Sequence, residues 1–78
     1  MARWRLPKKK NLGPGFIVKI EEGTLTDTDA EWAIGDHGGV IRMRRGLTVA
    51  QQRYLYSHEL IHAALDYHHK QVLEGAAP

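Results

Sequence analysis

Apolar residues form three short runs in the first half of the chain, and these runs predict β-strands. Residues 16–20 combine aromatic and β-branched side chains, which favour strands. Residues 31–34 form a second, shorter run. Residues 40–44 alternate apolar and basic side chains after the first position, as expected for a half-exposed strand. Residues 23–28 and 37–39 are rich in turn-forming residues and separate the three predicted strands.

The second half of the chain has helical spacing instead. Thr48 and Gln51 match a capping box, with Thr48 as the N-cap and Gln51 three positions later. No Gly or Pro interrupts residues 49–67, which would span about 28 Å as a helix of about nineteen residues. The apolar residues at helical spacings are Leu55, Leu60, Ile61, Ala64 and Leu65.

The order of these elements, strands first and then a long helix, predicts an α+β fold. We expect a small antiparallel sheet of two or three strands packed on one face of the helix. Residues 1–15 are basic and contain Pro7 and Pro14, so we expect a flexible basic arm there. The folded domain is then predicted to comprise residues 16–78.

The size and composition of the chain limit how such a domain is stabilised. Seventy-eight residues bury only a thin core, and small domains commonly recruit a metal, a disulfide or a partner subunit. The sequence contains no Cys, which excludes disulfides and thiolate ligands. A bound metal would therefore be held by His, Asp or Glu, and a homodimer is compatible with so small a fold.

The formal charge of +2 is mild but unevenly distributed. Basic residues gather near the N-terminus and at residues 42–45, whereas residues 21–36 are acidic. Such asymmetry can indicate nucleic-acid binding, although ordinary surface charge is the favoured interpretation. The basic start is not followed by the apolar run of a signal peptide, and no segment is apolar enough to cross a membrane. We therefore expect a cytoplasmic protein.

The predicted helix contains the pattern His-Glu-x-x-His, at His58, Glu59 and His62. Four residues turn an α-helix by about 400°, so both imidazoles leave the same face and can bind one Zn²⁺. Glu59 lies about 100° further round, where its carboxylate can reach a zinc-bound water without binding the metal. Zinc acidifies such a water, and Glu59 would accept its proton as general base.

Residues 56–64, Tyr-Ser-His-Glu-Leu-Ile-His-Ala-Ala, resemble the zincin metallopeptidases. More loosely, residues 32–67 resemble small phage or bacterial proteins related to the ImmA/IrrE-type peptidase domain. The resemblance implies a minimal zincin-like fold, a zinc cofactor and hydrolysis of a peptide or protein substrate. It also implies that His58 and His62 bind zinc and that Glu59 is catalytic. The strand at 40–44 is a candidate edge for pairing with an extended peptide.

A catalytic zinc usually has a third protein ligand, and the sequence leaves its identity open. His68 follows His62 at the spacing of the metzincin pattern and is the favoured candidate. That pattern has Gly at the position of Leu65, so His68 reaches the metal only if the helix ends near Leu65. The other candidates are Asp66, His69, Glu74 and a residue of another subunit.

These observations predict a zinc metallopeptidase, weak or narrowly specific because little chain remains to build a substrate cleft. His37, in the predicted turn, is a further candidate for the site, although a solvated turn histidine is the more ordinary interpretation. The alternative function is a binding or regulatory module that uses its metal or its basic arm without catalysis.

Overall fold

A computed structural model, which describes residues 4–75, shows a sheet followed by one long helix and confirms the α+β class. The elements are β1 (Lys9–Gly13), β2 (Phe16–Gly23), β3 (Ala30–Gly35), β4 (Gly38–Arg44) and α1 (Val49–Gly75). Arg3 of the basic N-terminus and the tail 76–78 lie outside the described residues.

The sheet has four strands in the order β1-β2-β4-β3. β2 and β4 are parallel, whereas the β1–β2 and β3–β4 pairs are antiparallel. The prediction of an antiparallel sheet with two or three strands was therefore wrong in strand number and, for the β2–β4 pair, in orientation. β3 comes between β2 and β4 in the sequence, but in the sheet β4 lies between β2 and β3. β4 runs parallel to β2.

Strand β1 comes from the segment that was predicted to be a flexible arm. Lys9 pairs with Lys19 and Asn11 with Ile17, so residues 9–13 belong to the sheet. The Asn11 side chain accepts a hydrogen bond from the Gly13 amide at 3.0 Å, next to a shift in strand register. A lysine-rich edge strand carries no apolar run, because it faces solvent and resists pairing with other chains. The composition of β1 therefore gives no sign that it is a strand.

Strand β4 lies inside the sheet, with β2 on one side and β3 on the other. The prediction that residues 40–44 form a free edge was wrong, because both sides of that strand are already paired. The edge strands of the sheet are β1 and β3.

The core lies between α1 and the face of the sheet formed mainly by β2 and β4. Its buried apolar residues are Phe16, Val18, Ile20, Ala30, Ile41, Met43 and Ala63. Alternate residues of β2 and β4 point to this face, as expected for strands with one side covered. Ala63 is the apolar helix residue at the centre of the contact, and its small side chain allows a close approach.

Helix α1 begins as predicted but is longer than expected. The Thr48 amide donates to Gln51 Oε1 at 2.8 Å, and the Gln51 amide donates to Thr48 Oγ1 at 3.1 Å, which confirms the capping box. The helix has 27 residues and continues to Gly75, rather than ending near Tyr67. Lys70 holds the additional turns by donating to the backbone carbonyl of Asp36. None of the helices in the described part of the chain is long and apolar enough to cross a membrane.

Candidate metal centre

The two histidines of the motif meet on α1 as their spacing predicted. The distance between His58 Nε2 and His62 Nε2 is 3.2 Å. Two nitrogens bound to one tetrahedral zinc at 2.0–2.1 Å are about 3.4 Å apart. The two imidazoles are therefore already placed at the separation that a shared zinc requires.

Glu59 lies beside this pair but belongs to the sheet-facing side of the helix. Its residue exposure is only 9%, the lowest of any charged residue in the described chain. Its Oε1 lies 4.0 Å from His58 Nε2. Three possible ligand atoms, one each from His58, Glu59 and His62, all lie within 4.8 Å of one another. The three residues thus form one compact His-Glu-His group.

The histidines of this group are open to solvent, in contrast to Glu59. The His58 side chain is 52% exposed, and His62 is also exposed. The ring of Tyr54 stacks on His58 with a centroid distance of 6.2 Å and an angle of 22°, which restricts His58 on one side. The pair is therefore open to a metal ion from solvent, and it provides two of the three protein ligands that a catalytic zinc usually has.

The group lies on the flank of α1 that borders β3. The Trp32 indole of β3 donates to Asp66 Oδ2 at 2.6 Å. Asp66 is one helical turn after His62, so both side chains leave the helix on this flank. Ala50 and Tyr54, further toward the N-terminus, share a surface depression with Asp29, just before β3. Among the described residues β3 pairs only with β4, so its outer edge is unpaired on the flank of α1 that carries Asp66.

The structure does not bring His68 to this group. Because α1 continues without a break past Leu65, His68 points about 120° away from the direction of His62. The condition under which His68 was expected to bind, a helix ending near Leu65, is not met. His68 is accordingly absent from the group of donor atoms found among the described residues.

The other candidates for a third ligand are also engaged elsewhere or distant. Asp66 accepts the Trp32 hydrogen bond rather than orienting the His62 ring. Glu74 lies 3.9 Å from Lys70 in an ion pair. His69 shares a surface depression with Ile34 and Leu73. Within residues 4–75, therefore, one chain supplies two histidines and Glu59, and no further donor.

His37 lies near the C-terminal end of α1, whereas the histidine pair is in the middle of the helix. It occupies the turn between β3 and β4, and its carbonyl accepts a hydrogen bond from the Ile17 amide at 3.1 Å. Its neighbours across the adjacent depression include Tyr67 and Lys70. His37 is therefore a residue of the turn and does not belong to the His-Glu-His group.

The sequence does not indicate the hydrogen bond between Trp32 and Asp66, which are 34 positions apart. This bond attaches the helix to the edge strand at the turn immediately after His62. Only the tertiary fold brings the two residues together, so no short-range pattern indicates the contact.

We expect Asp66→Ala to destabilise the protein by about 1–3 kcal/mol, because it removes a charged acceptor and leaves the half-buried indole without its partner. Denaturant unfolding followed by tryptophan fluorescence measures the change. Asp27→Ala, in the exposed 23–28 loop, is the control and should change the free energy of unfolding by less than about 0.5 kcal/mol. Equal effects of the two substitutions would contradict a structural role for the Trp32 bond.

Glu59 is predicted to lower the stability of the metal-free protein. Among the described residues, no hydrogen bond reaches its carboxylate, and the side chain is only 11% exposed, although no unpartnered oxygen is fully buried. Partial removal of a charged carboxylate from water without such partners is costly. Glu59→Leu should therefore raise the free energy of unfolding of the metal-free protein by about 1–2 kcal/mol, as replacements in strained functional sites often do. A thermal melt in the presence of a chelator tests this, and a lower melting temperature would show that Glu59 stabilises the fold.

Comparison of the chain with protein-family models, with curated proteins and with solved structures gives no match. The resemblance to zincins consequently rests on the motif at residues 56–64 and its looser surroundings. The case for a function is made by the geometry of the His-Glu-His group alone.

Proposed function

We propose that the protein is a zinc-dependent metallopeptidase whose site is the group of His58, Glu59 and His62. The observation that carries the proposal is the 3.2 Å separation of the two Nε2 atoms, with the mostly buried Glu59 beside them on the same helix. A helix with two surface histidines does not need a mostly buried glutamate next to them. A metallopeptidase does need one, since its base must lie beside the metal.

Each residue of the group would have one role. His58 and His62 would hold the metal through their Nε2 atoms. Zinc, when bound, would polarise a peptide carbonyl and acidify a water molecule. Glu59 would accept a proton as general base and return it to the departing amine as general acid. Its burial keeps the carboxylate positioned on the helix, between the histidines and the sheet.

The substrate of the proposed peptidase is an extended peptide or an unfolded protein segment. The outer edge of β3 is unpaired among the described residues and lies on the flank of α1 that carries Asp66, one turn after His62. An exposed strand edge can pair with an extended chain through main-chain hydrogen bonds. β3 thus takes the role that the sequence suggested for residues 40–44. Because the site is shallow, we expect slow or narrowly specific hydrolysis.

The second candidate is a metal-dependent binding module without catalysis. The observation in its favour is the 52% exposure of the His58 side chain, which leaves the site without walls to hold a substrate. Both candidates require the metal, and only the peptidase requires the Glu59 carboxylate.

The test is hydrolysis of a mixed peptide library, followed by mass spectrometry. Protein purified without a histidine tag is assayed as prepared, after chelation and after zinc is restored. The peptidase proposal predicts new peptide termini that disappear on chelation and return with zinc. If the zinc-loaded protein leaves the library intact, while zinc still binds, the binding module is the better explanation.

A further inference from the structure

The charged residues of α1 are distributed in an unusual way. The helix contains five Lys, Arg, Asp or Glu residues: Arg53, Glu59, Asp66, Lys70 and Glu74. Glu59 is buried, Asp66 bonds to β3, and Lys70 bonds to the β3–β4 turn. Arg53 lies over the Trp4 ring at 5.9 Å, and Glu74 pairs with Lys70. All five therefore lie on the half of the helix that faces the rest of the chain.

The opposite half of the helix bears no such charge and exposes large apolar side chains. Tyr54 is 70% exposed, Ile61 and Leu65 are each 61% exposed, and Val72 is 49% exposed. A surface helix normally shows the reverse pattern, with its charges in water. Together with two histidines, these residues form a stripe at alternating spacings of four and three. The stripe consists of Tyr54, His58, Ile61, Leu65, His68 and Val72.

Alternating spacings of four and three are the pattern of helices that pack against another helix along their length. This stripe is also symmetric in its own sequence. Its members form three pairs, and the midpoint of each pair is residue 63. The pairs are Tyr54 with Val72, His58 with His68, and Ile61 with Leu65. Two copies of α1 placed antiparallel about that level would match each member of a pair with the other member on the second chain.

We propose that the stripe is the interface of an antiparallel homodimer. The dimer rests on the exposed stripe and does not require a bound metal. Two-fold symmetry places each member of a pair against the other member on the second chain.

A second copy of this chain is the occupant that the structure favours for three reasons. The interface is self-complementary, with apolar layers of Ile61 against the partner's Leu65 and Tyr54 against the partner's Val72. No Lys, Arg, Asp or Glu of the stripe opposes the association. The described chain buries only seven apolar residues, so a second apolar contact would add substantially to a thin core.

The experiment measures the mass of the untagged full chain by light scattering and sedimentation, with and without zinc. The wild type should be a dimer, and Leu65→Lys should be a monomer. Leu73→Lys is the matched control, because Leu73 is 67% exposed on the same helix but lies outside the stripe. A monomeric wild type in both conditions, or a dimer unaffected by Leu65→Lys, would overturn the interface.

Discussion

Replacing His62 with alanine should abolish zinc binding, lowering the affinity at least about 100-fold. Substitutions of residues that merely orient a metal ligand cost 10–100-fold, and loss of a ligand costs more. We expect about one zinc per chain in the wild type and none in His62→Ala or His58→Ala. Elemental analysis of untagged protein gives the stoichiometry, and competition with a chelating dye gives the affinity.

His69→Ala is the matched control for this prediction. His69 is an exposed histidine of the same helix, but it does not belong to the His-Glu-His group. Its replacement should leave the zinc content unchanged. Zinc loss from His69→Ala comparable to that from His62→Ala would show that binding is distributed over surface histidines and has no defined site.

An absence of zinc from the wild type, even after incubation with the metal, would exclude the metallopeptidase. The alternative would then be binding through the basic N-terminal segment, now seen to include edge strand β1. Binding to nucleic acid through lysines predicts an affinity that falls steeply with salt. It also predicts that His58→Ala binds as well as the wild type.

The parts of the structure that the sequence predicts are those that depend on local geometry. The turn of an α-helix alone places His62 beside His58, so four residues of spacing were sufficient to predict the pair. The capping box of Thr48 and Gln51 is equally local and was confirmed by both of its hydrogen bonds. Strands β2 and β4 were found because their buried faces impose a visible alternation or a run of β-branched residues.

The parts that the sequence did not predict depend on distant residues. β1 is recognised as a strand only through its pairing with β2, since Lys9 and Lys10 have no apolar pattern. The parallel pairing of β2 with β4 depends on where β3 is inserted in the sheet. The misplaced helix end had the largest consequence, because the additional turns hold His68 away from the metal group. Lys70 stabilises those turns through the Asp36 carbonyl, a contact between residues 34 positions apart.

The prediction that decides between catalysis and mere metal binding concerns Glu59. Glu59→Gln keeps the size and hydrogen-bonding capacity of the side chain but cannot accept the proton of a water molecule. We expect the rate of peptide hydrolysis to fall about 10²–10⁴-fold, the usual contribution of a positioned general base. Zinc content should remain about one per chain, because the two imidazoles that hold the metal are unchanged.

Glu74→Gln is the control, because Glu74 lies on the same helix, is largely exposed and contacts only Lys70 among the described ion pairs. It should hydrolyse peptides at the wild-type rate. Two results would revise the role of Glu59. Hydrolysis retained by Glu59→Gln would exclude the carboxylate as the base. Loss of zinc from Glu59→Gln would make Glu59 a ligand, a role that its position within 4.8 Å of both imidazoles also permits.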